Sequence, residues 1–228
     1  MSLHDRTLTP RIDGSVMKTS LLLLVAILLF AAQAGATNLI QNGSFQTNDF
    51  THWTIGTTSN GTWGSGYPVV TGWPLGGMNA AKGEVGEVNF DGTFQGGTLS
   101  QTFTSGAGAA TLSFAWAAMG DGIHTNGDGG DFRLLLDGII LADHDVGTIG
   151  PNDLFNGTLT ANANLSAGTH TFEIDILRPY IAFAGNTPYQ YVTNADVEGT
   201  VPEPSSILLL GIGALGLAGG VLRRKLGF

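Results

Sequence analysis

Three aromatic residues stand among glycines: Trp63 and Tyr67 in Asn60-Gly61-Thr62-Trp63-Gly64-Ser65-Gly66-Tyr67, and Trp73 in Gly72-Trp73-Pro74. A pyranose ring offers C–H faces that stack on Trp and Tyr, while its hydroxyls take amide and carboxylate partners. Trp63, Tyr67 and Trp73 would thus supply a stacking platform for a polysaccharide, or else plug one end of a folded core. Trp53 and Trp116 lie in alternating patterns and read as core. A second cluster, Asp121-Gly122-Ile123-His124-Thr125-Asn126-Gly127-Asp128-Gly129-Gly130-Asp131, gathers Asp121, Asp128 and Asp131 on a glycine-rich loop, where oxygen ligands suit calcium or ligand hydroxyls. Its spacing is not that of an EF-hand, so a solvated loop is the other reading. Asp143-His144-Asp145 cannot converge on one point from a strand, because consecutive side chains face opposite ways, and it reads as a polar loop. Carboxylate pairs for glycoside cleavage can be drawn from Glu84, Glu87, Glu173 and Asp175 only arbitrarily. With no Gly-x-Ser-x-Gly, His-Glu-x-x-His or phosphate-loop motif, the chain reads as non-catalytic.

The elements that must carry these residues are strands. Leu112, Phe114 and Trp116 alternate within Thr111 to Trp116, as do Phe132, Leu134 and Leu136, and Phe172, Ile174 and Ile176, the pattern of half-buried antiparallel strands. Further strands are expected at Asn38 to Gln41, Trp53 to Gly56, Pro68 to Thr71, Val85 to Phe90, Leu99 to Thr104, Ile139 to Ala142, Phe155 to Ala161 and Gln190 to Glu198. Asp137-Gly138 between apolar runs signals a tight hairpin. Ten or eleven short strands, no stretch with a helical face and no internal repeat read as an all-β antiparallel sandwich or jelly roll.

The 228 residues include 35 glycines, no cysteine and 12 % charged residues, with 9 Lys+Arg against 18 Asp+Glu. The lack of cysteine excludes disulfides, thiolate metal sites and Cys nucleophiles, and the negative balance excludes a nucleic-acid ligand. The charge is unevenly spread. Met17-Lys18-Thr19-Ser20 leads into the uncharged run Leu21 to Ala32 and then Ala34-Gly35-Ala36, the three parts of a secretory signal peptide cut after Ala36. Translation is then expected to start at Met17. At the other end, Pro202, Glu203 and Pro204 precede an uncharged stretch through Leu222, followed by Arg223, Arg224 and Lys225. Ile207 to Leu222 would be about 24 Å of helix, a marginal membrane span with its basic end cytoplasmic. Residues 1–36 thus form an extension plus signal peptide, 37–200 the working domain and 201–228 the tail. Between residues 37 and 200 three basic residues (Lys82, Arg133, Arg178) face fifteen acids, a net −12, which favours cations and neutral partners over polyanions.

The three-part tail resembles the PEP-CTERM sorting signal of exported proteins in Gram-negative bacteria that make extracellular polysaccharide. The resemblance implies a membrane protease, exosortase, as a partner, a transient inner-membrane anchor and delivery to the cell surface or extracellular matrix. The working domain resembles galactose-binding-like jelly rolls, the group that includes many carbohydrate-binding modules, through Asn38-Leu39-Ile40-Gln41-Asn42-Gly43-Ser44-Phe45-Gln46, His52-Trp53-Thr54, Gly97 to Phe103, Asp131 to Gly138, Ser166 to Phe172 and Asn194 to Val197. Many such domains hold a structural calcium between first and last strands, and the resemblance puts Gln46 and Asp196 where two ligands would be. Glutamine stands at 46 and asparagine at 194 in place of the usual acids, which weakens the implied site. Non-catalytic polysaccharide binding is the expected function, with a structural matrix or surface-coat protein that binds other proteins as the alternative.

Overall fold

The computed structural model describes residues 37–183 and 185–199. The start at Met17, the cleavage site at Ala34 and Ala36, the two apolar helices and the sorting residues Pro202 to Pro204 and Arg223 to Lys225 lie outside the described residues.

The described chain folds into strands β1 (Thr37–Asn38), β2 (Thr54–Thr57), β3 (Gly61–Thr62), β4 (Val69–Gly72), β5 (Asn79–Gly83), β6 (Gly86–Glu87), β7 (Gln95–Ser105), β8 (Gly108–Met119), β9 (Asp131–Leu136), β10 (Ile139–Asp145), β11 (Leu154–Leu165), β12 (Gly168–Arg178) and β13 (Tyr189–Gly199). Among the described residues there is no helix. One sheet runs β11-β8-β13-β5-β4, with β1 also paired to β13; the other runs β10-β9-β12-β7-β2, and β3 pairs with β6. Every strand pairing is antiparallel. The expected all-β antiparallel sandwich is the observed fold.

Alternation builds the core. Leu112, Phe114 and Trp116 of β8 point inward from one sheet and Leu99, Phe132, Leu134, Phe172, Ile174 and Ile176 from the other, all buried in one cluster. Trp116 stacks on Phe132 across the sandwich, centroids 5.0 Å apart, and Trp53 meets Phe45 and Phe172 at 5.7 and 6.2 Å. Both tryptophans expected in the core are there. The hairpin at Asp137-Gly138 also forms: Leu136 pairs with Ile139, and φ is +52° and +78° at the two turn residues, the left-handed pair that a two-residue hairpin needs.

Four expectations change. The segment Asp143 to Asp145 is the end of strand β10, not a loop; His144 lies against the Trp116 ring at 4.4 Å, so its apolar face supports strand pairing. The strand expected over Val85 to Phe90 shrinks to Gly86–Glu87, and Val88 and Phe90 are exposed. Asn79–Gly83, too rich in small residues to show a period, is the missed β5. Trp63 belongs to the core, 3 % exposed.

Candidate functional site

The outer face of the six-stranded sheet carries an open depression of about 920 Å³. Its floor is Ser113 and Ala115 of β8, Thr158 of β11 and Asp196 of β13, and its wall is the segment from Asn38 to Thr47 with His52. Strand geometry explains the floor: these residues alternate with the core positions Leu112, Phe114 and Leu159, so they must face the other way.

The wall is a non-repetitive loop held by side-chain amides. Asn42 donates from Nδ2 to the carbonyls of Asp49 and Thr51, both at 3.1 Å, and accepts from the Thr47 N–H at 3.3 Å. The Trp53 indole N–H donates to the Asn42 carbonyl at 3.1 Å. Asn79 Nδ2 reaches the Phe45 carbonyl at 3.0 Å and Asn48 Oδ1 at 2.9 Å. Phe45, fully buried, pins the loop to the core. The last strand meets this wall through a bulge: pairing with β8 shifts between Thr193 and Asp196, Asn194 takes φ +51°, and the Ala195 N–H donates to the Gly43 carbonyl at 3.0 Å. Residue 43 must be glycine, because a Cβ there would lie 2.0 Å from the Ala195 oxygen. A bulge commonly re-aims a side chain, and here it brings Asn194, Ala195 and Asp196 all to the groove.

The polar part of the lining is amides, hydroxyls, one imidazole and one carboxylate, with no Lys or Arg, and Ile40, Ala115 and Ala195 add apolar surface beside it. Burial raises the Asp196 carboxyl, reinforced by repulsion from Glu198 and opposed by a backbone hydrogen bond. Its Oδ1 is buried and has no hydrogen-bond partner.

Beside the groove on the same face lies a tyrosine cluster. Lys82 pairs in register with Tyr191 on one side and Val69 on the other. Its Nζ sits 3.5 Å from the Tyr189 ring centroid, 5.6 Å from Tyr67 and 5.7 Å from Tyr191, within cation–π range. Burial lowers the Lys82 ammonium and raises the neighbouring Glu84 carboxyl, while hydrogen bonding from Tyr67 and the charge of Lys82 oppose the latter shift.

The residues singled out from sequence divide between these surroundings. Gln46 and Asp196 line the same groove. Tyr67 is half-buried beside Lys82. Trp63 and Trp73 do not form a platform with it: Trp63 lies inside the sandwich, and Trp73, 6 % exposed, packs edge-on to Tyr191 with centroids 6.4 Å apart. Both rings are covered, so neither has a face free for a sugar. Asp121, Asp128 and Asp131 do not share a site either. Asp121 accepts from the Ile123 and His124 N–H groups and from His124 Nδ1; burial raises its pKa, but these bonds outweigh it and bring the carboxyl down to about 2. Asp128 accepts from the Gly130 N–H at 2.6 Å, and Asp131 pairs with Arg133 at 2.5 Å. Each carboxylate has its own local contact, although Asp128 and Asp131 both also feel the charge of Asp145. Among the described residues no three His, Asp or Glu side chains converge on a metal position.

Calcium takes six to eight oxygens and is held by ligand charge. At the groove Asp196 contributes one carboxylate with an orphaned oxygen and Gln46 a neutral amide, a donor set that does not fit a tight calcium site. Gln46→Glu should restore the missing charge. Thermal unfolding of this variant is expected to shift upward in calcium, by about 2.7 kcal/mol at a hundredfold excess over Kd, while the parent chain moves by a small fraction of that. Equal shifts in both would show a working site in the parent.

Residues 200–225 match the PEP-CTERM protein-sorting motif. The match covers the tail foreseen at Pro202, Glu203, Pro204 and the basic end. Comparison with curated proteins found no match. Among solved structures, the chain is similar to TmCBM61 in complex with β-1,4-galactotriose, at 14 % identity and TM-score 0.42 over 71 % of this chain and 98 % of that one. It is similar to the CBM22-1 xylan-binding domain of Paenibacillus barcinonensis Xyn10C, at 8 % identity and TM-score 0.41 over 74 % and 97 %. A third is the K3 adhesin domain of Lys-gingipain from Porphyromonas gingivalis, at 10 % identity and TM-score 0.41 over 70 % and 99 %.

Proposed function

We propose that the chain is an exported protein that binds an uncharged polysaccharide in the groove on its six-stranded sheet, without cleaving it, after delivery to the cell surface or extracellular matrix. The observation that supports this reading is the lining: an open groove of amides and hydroxyls interleaved with small apolar side chains, with no Lys or Arg, in a domain of net charge −12. Neutral hydroxyl-rich ligands can satisfy such a lining, whereas polyanions meet no compensating charge. Asp196, half-buried, is the one carboxylate in the lining and so the strongest acceptor the groove can turn toward a sugar hydroxyl. The PEP-CTERM motif supports processing by an exosortase-type protease and a transient stay in the inner membrane of a Gram-negative bacterium.

A second reading rests on a separate observation. Phe90 and Phe183, 66 % and 59 % exposed, and Val88 lie on two segments joined by backbone bonds between Glu87 and both Tyr180 and Ala182. An apolar patch of this kind suits a protein partner, as a structural coat protein would need.

Affinity electrophoresis through gels containing neutral or acidic polysaccharides separates the two. The parent chain is expected to be retarded by at least one neutral polymer. Thr158→Trp, which fills the groove floor from an exposed position, and Asp196→Ala should each weaken binding at least tenfold, about 1.4 kcal/mol. Retention unchanged in both variants would remove the groove from the account.

A further inference from the structure

An unpaired sheet edge is a template for another chain, and proteins blunt such edges with short strands, charges, prolines or bulges. Among the described residues the edge strands of the two sheets other than β11 are treated so, β1 by being only two residues long. β2 and β4 have four residues each, and Pro68 immediately precedes β4. β10 ends in Asp143, His144 and Asp145 and breaks register between Ile140 and Ala142. β11 has none of these devices. It is twelve residues long, pairs with β8 from Leu154↔Met119 to Leu165↔Gly108 without a shift, and contains no charged residue and no proline.

We propose that β11 is the docking surface for β11 of a second copy of this chain, added antiparallel so that two six-stranded sheets become one. Charge selects this occupant and this edge. Copies with a net −12 between residues 37 and 200 repel each other, and β11 is the long edge where contact brings no carboxylates face to face. Its sequence is also self-complementary. Antiparallel neighbours must share a face, and the even-numbered residues from Asn156 to Asn164 are all exposed while Leu159 and Leu165 are buried. A pairing centred on Thr160 keeps both faces in order. Outside, Thr160 meets its own counterpart, Thr158 meets Asn162 and Asn156 meets Asn164, all pairs that hydrogen-bond. Inside, Leu159 meets Ala161 and Phe155 meets Leu165, which gives the 42 % exposed Phe155 ring an apolar neighbour. Thr158 also lines the groove, so the two-fold axis sets two grooves on the same face of one continuous sheet, where a single polymer can engage both.

The cysteine-free sequence makes the test direct. Thr160→Cys is introduced into the whole chain, which is kept in detergent micelles and oxidised mildly at micromolar concentration. Paired antiparallel Cα atoms lie about 4.5–5.5 Å apart, within disulfide range, so Thr160→Cys is expected to give a covalent dimer on a non-reducing gel. Asn164→Cys alone faces its counterpart from eight residues away, roughly 27 Å, and should give several-fold less. Mixing Asn164→Cys with Asn156→Cys should restore the dimer. Thr160→Lys, exposed and therefore tolerated by the fold, should shift the parent dimer to monomer in sedimentation. Equal crosslinking at 160 and 164, which association through the apolar ends of the chain would produce, overturns the proposal, as does no crosslinking at 160 in a variant that unfolds at the parent temperature.

Discussion

Trp63→Ala is expected to destabilise the domain by about 3–5 kcal/mol, the range for emptying a core of a large aromatic, and so to remove a large part of a typical total of about 5–15 kcal/mol. The indole is 3 % exposed, and its N–H donates to the Gly56 carbonyl at 2.8 Å. Its ring is seated where two strands carry no side chain: a Cβ at Gly97 of β7 would lie 2.1 Å from Trp63 Cε2, and one at Gly83 of β5 would lie 2.6 Å from Cε3. Gly97→Ala therefore overpacks the same site, with an expected cost of about 1–3 kcal/mol or more. Urea unfolding followed by tryptophan fluorescence checks both. A Trp63→Ala chain with the parent midpoint and no polysaccharide binding would return Trp63 to a stacking role.

The second large effect is on pH. Burial raises the carboxyls of Asp128, to about 6, and of Asp131 and Asp196, and burial with repulsion from Glu173 raises Asp175. A raised carboxyl binds its proton more readily in the folded chain than in the unfolded one, so stability is present at low pH and is lost as pH rises through the folded value. His170 acts in the same direction: its Nδ1 lies 2.8 Å from Asp137 and its Nε2 3.0 Å from the Ser166 carbonyl, two acceptors that raise it and favour the imidazolium. Asp121 and Asp137, held low by hydrogen bonds that outweigh burial, contribute stability that is lost only as pH falls below about 4. Thermal stability should therefore peak near pH 4 to 5 and decline toward pH 8, with Asp128 alone accounting for about 2 kcal/mol of the fall. Asp175→Asn removes one buried charge whose Oδ1 has no partner, so it should raise the unfolding temperature at pH 8 and leave it nearly unchanged at pH 4. A parent stability that is flat or rising from pH 5 to pH 8 contradicts this.

Much of the fold was legible in the sequence, because a strand packed on one face writes a period of two. Leu112, Phe114 and Trp116 placed β8, Phe172, Ile174 and Ile176 placed β12, and Asp137-Gly138 placed the hairpin between β9 and β10. Strand β5 was not legible, since Asn79-Ala80-Ala81-Lys82-Gly83 has too little contrast between faces. The site was harder to read for a related reason. Glycines around Trp63 suggested exposure, but the glycines that matter to it, Gly83 and Gly97, are brought there by other strands, which no local pattern reveals. The groove floor was present in the sequence only as the outward half of the alternation, at Ser113, Ala115 and Thr158, and small or polar outward positions occur on every half-exposed strand. What singles these out is the wall from Asn38 to Thr47 and the bulge at Asn194, both set by tertiary contacts. Gln46 and Asp196 were reachable because a resemblance, not a period, pointed to them. Lys82, Tyr189 and Tyr191 came together only through the register of β5, β13 and β8.

The measurement that bears most directly on polysaccharide binding in the groove is amide hydrogen exchange of the whole chain with and without a retained neutral polysaccharide. Slower exchange is expected in the segment from Asn38 to Thr47, in β8 around Ser113 and at Asn194 to Asp196, with little change elsewhere. Protection confined to the opposite sheet or to the loop from Val88 to Phe94, with the groove segments unchanged, would contradict the account.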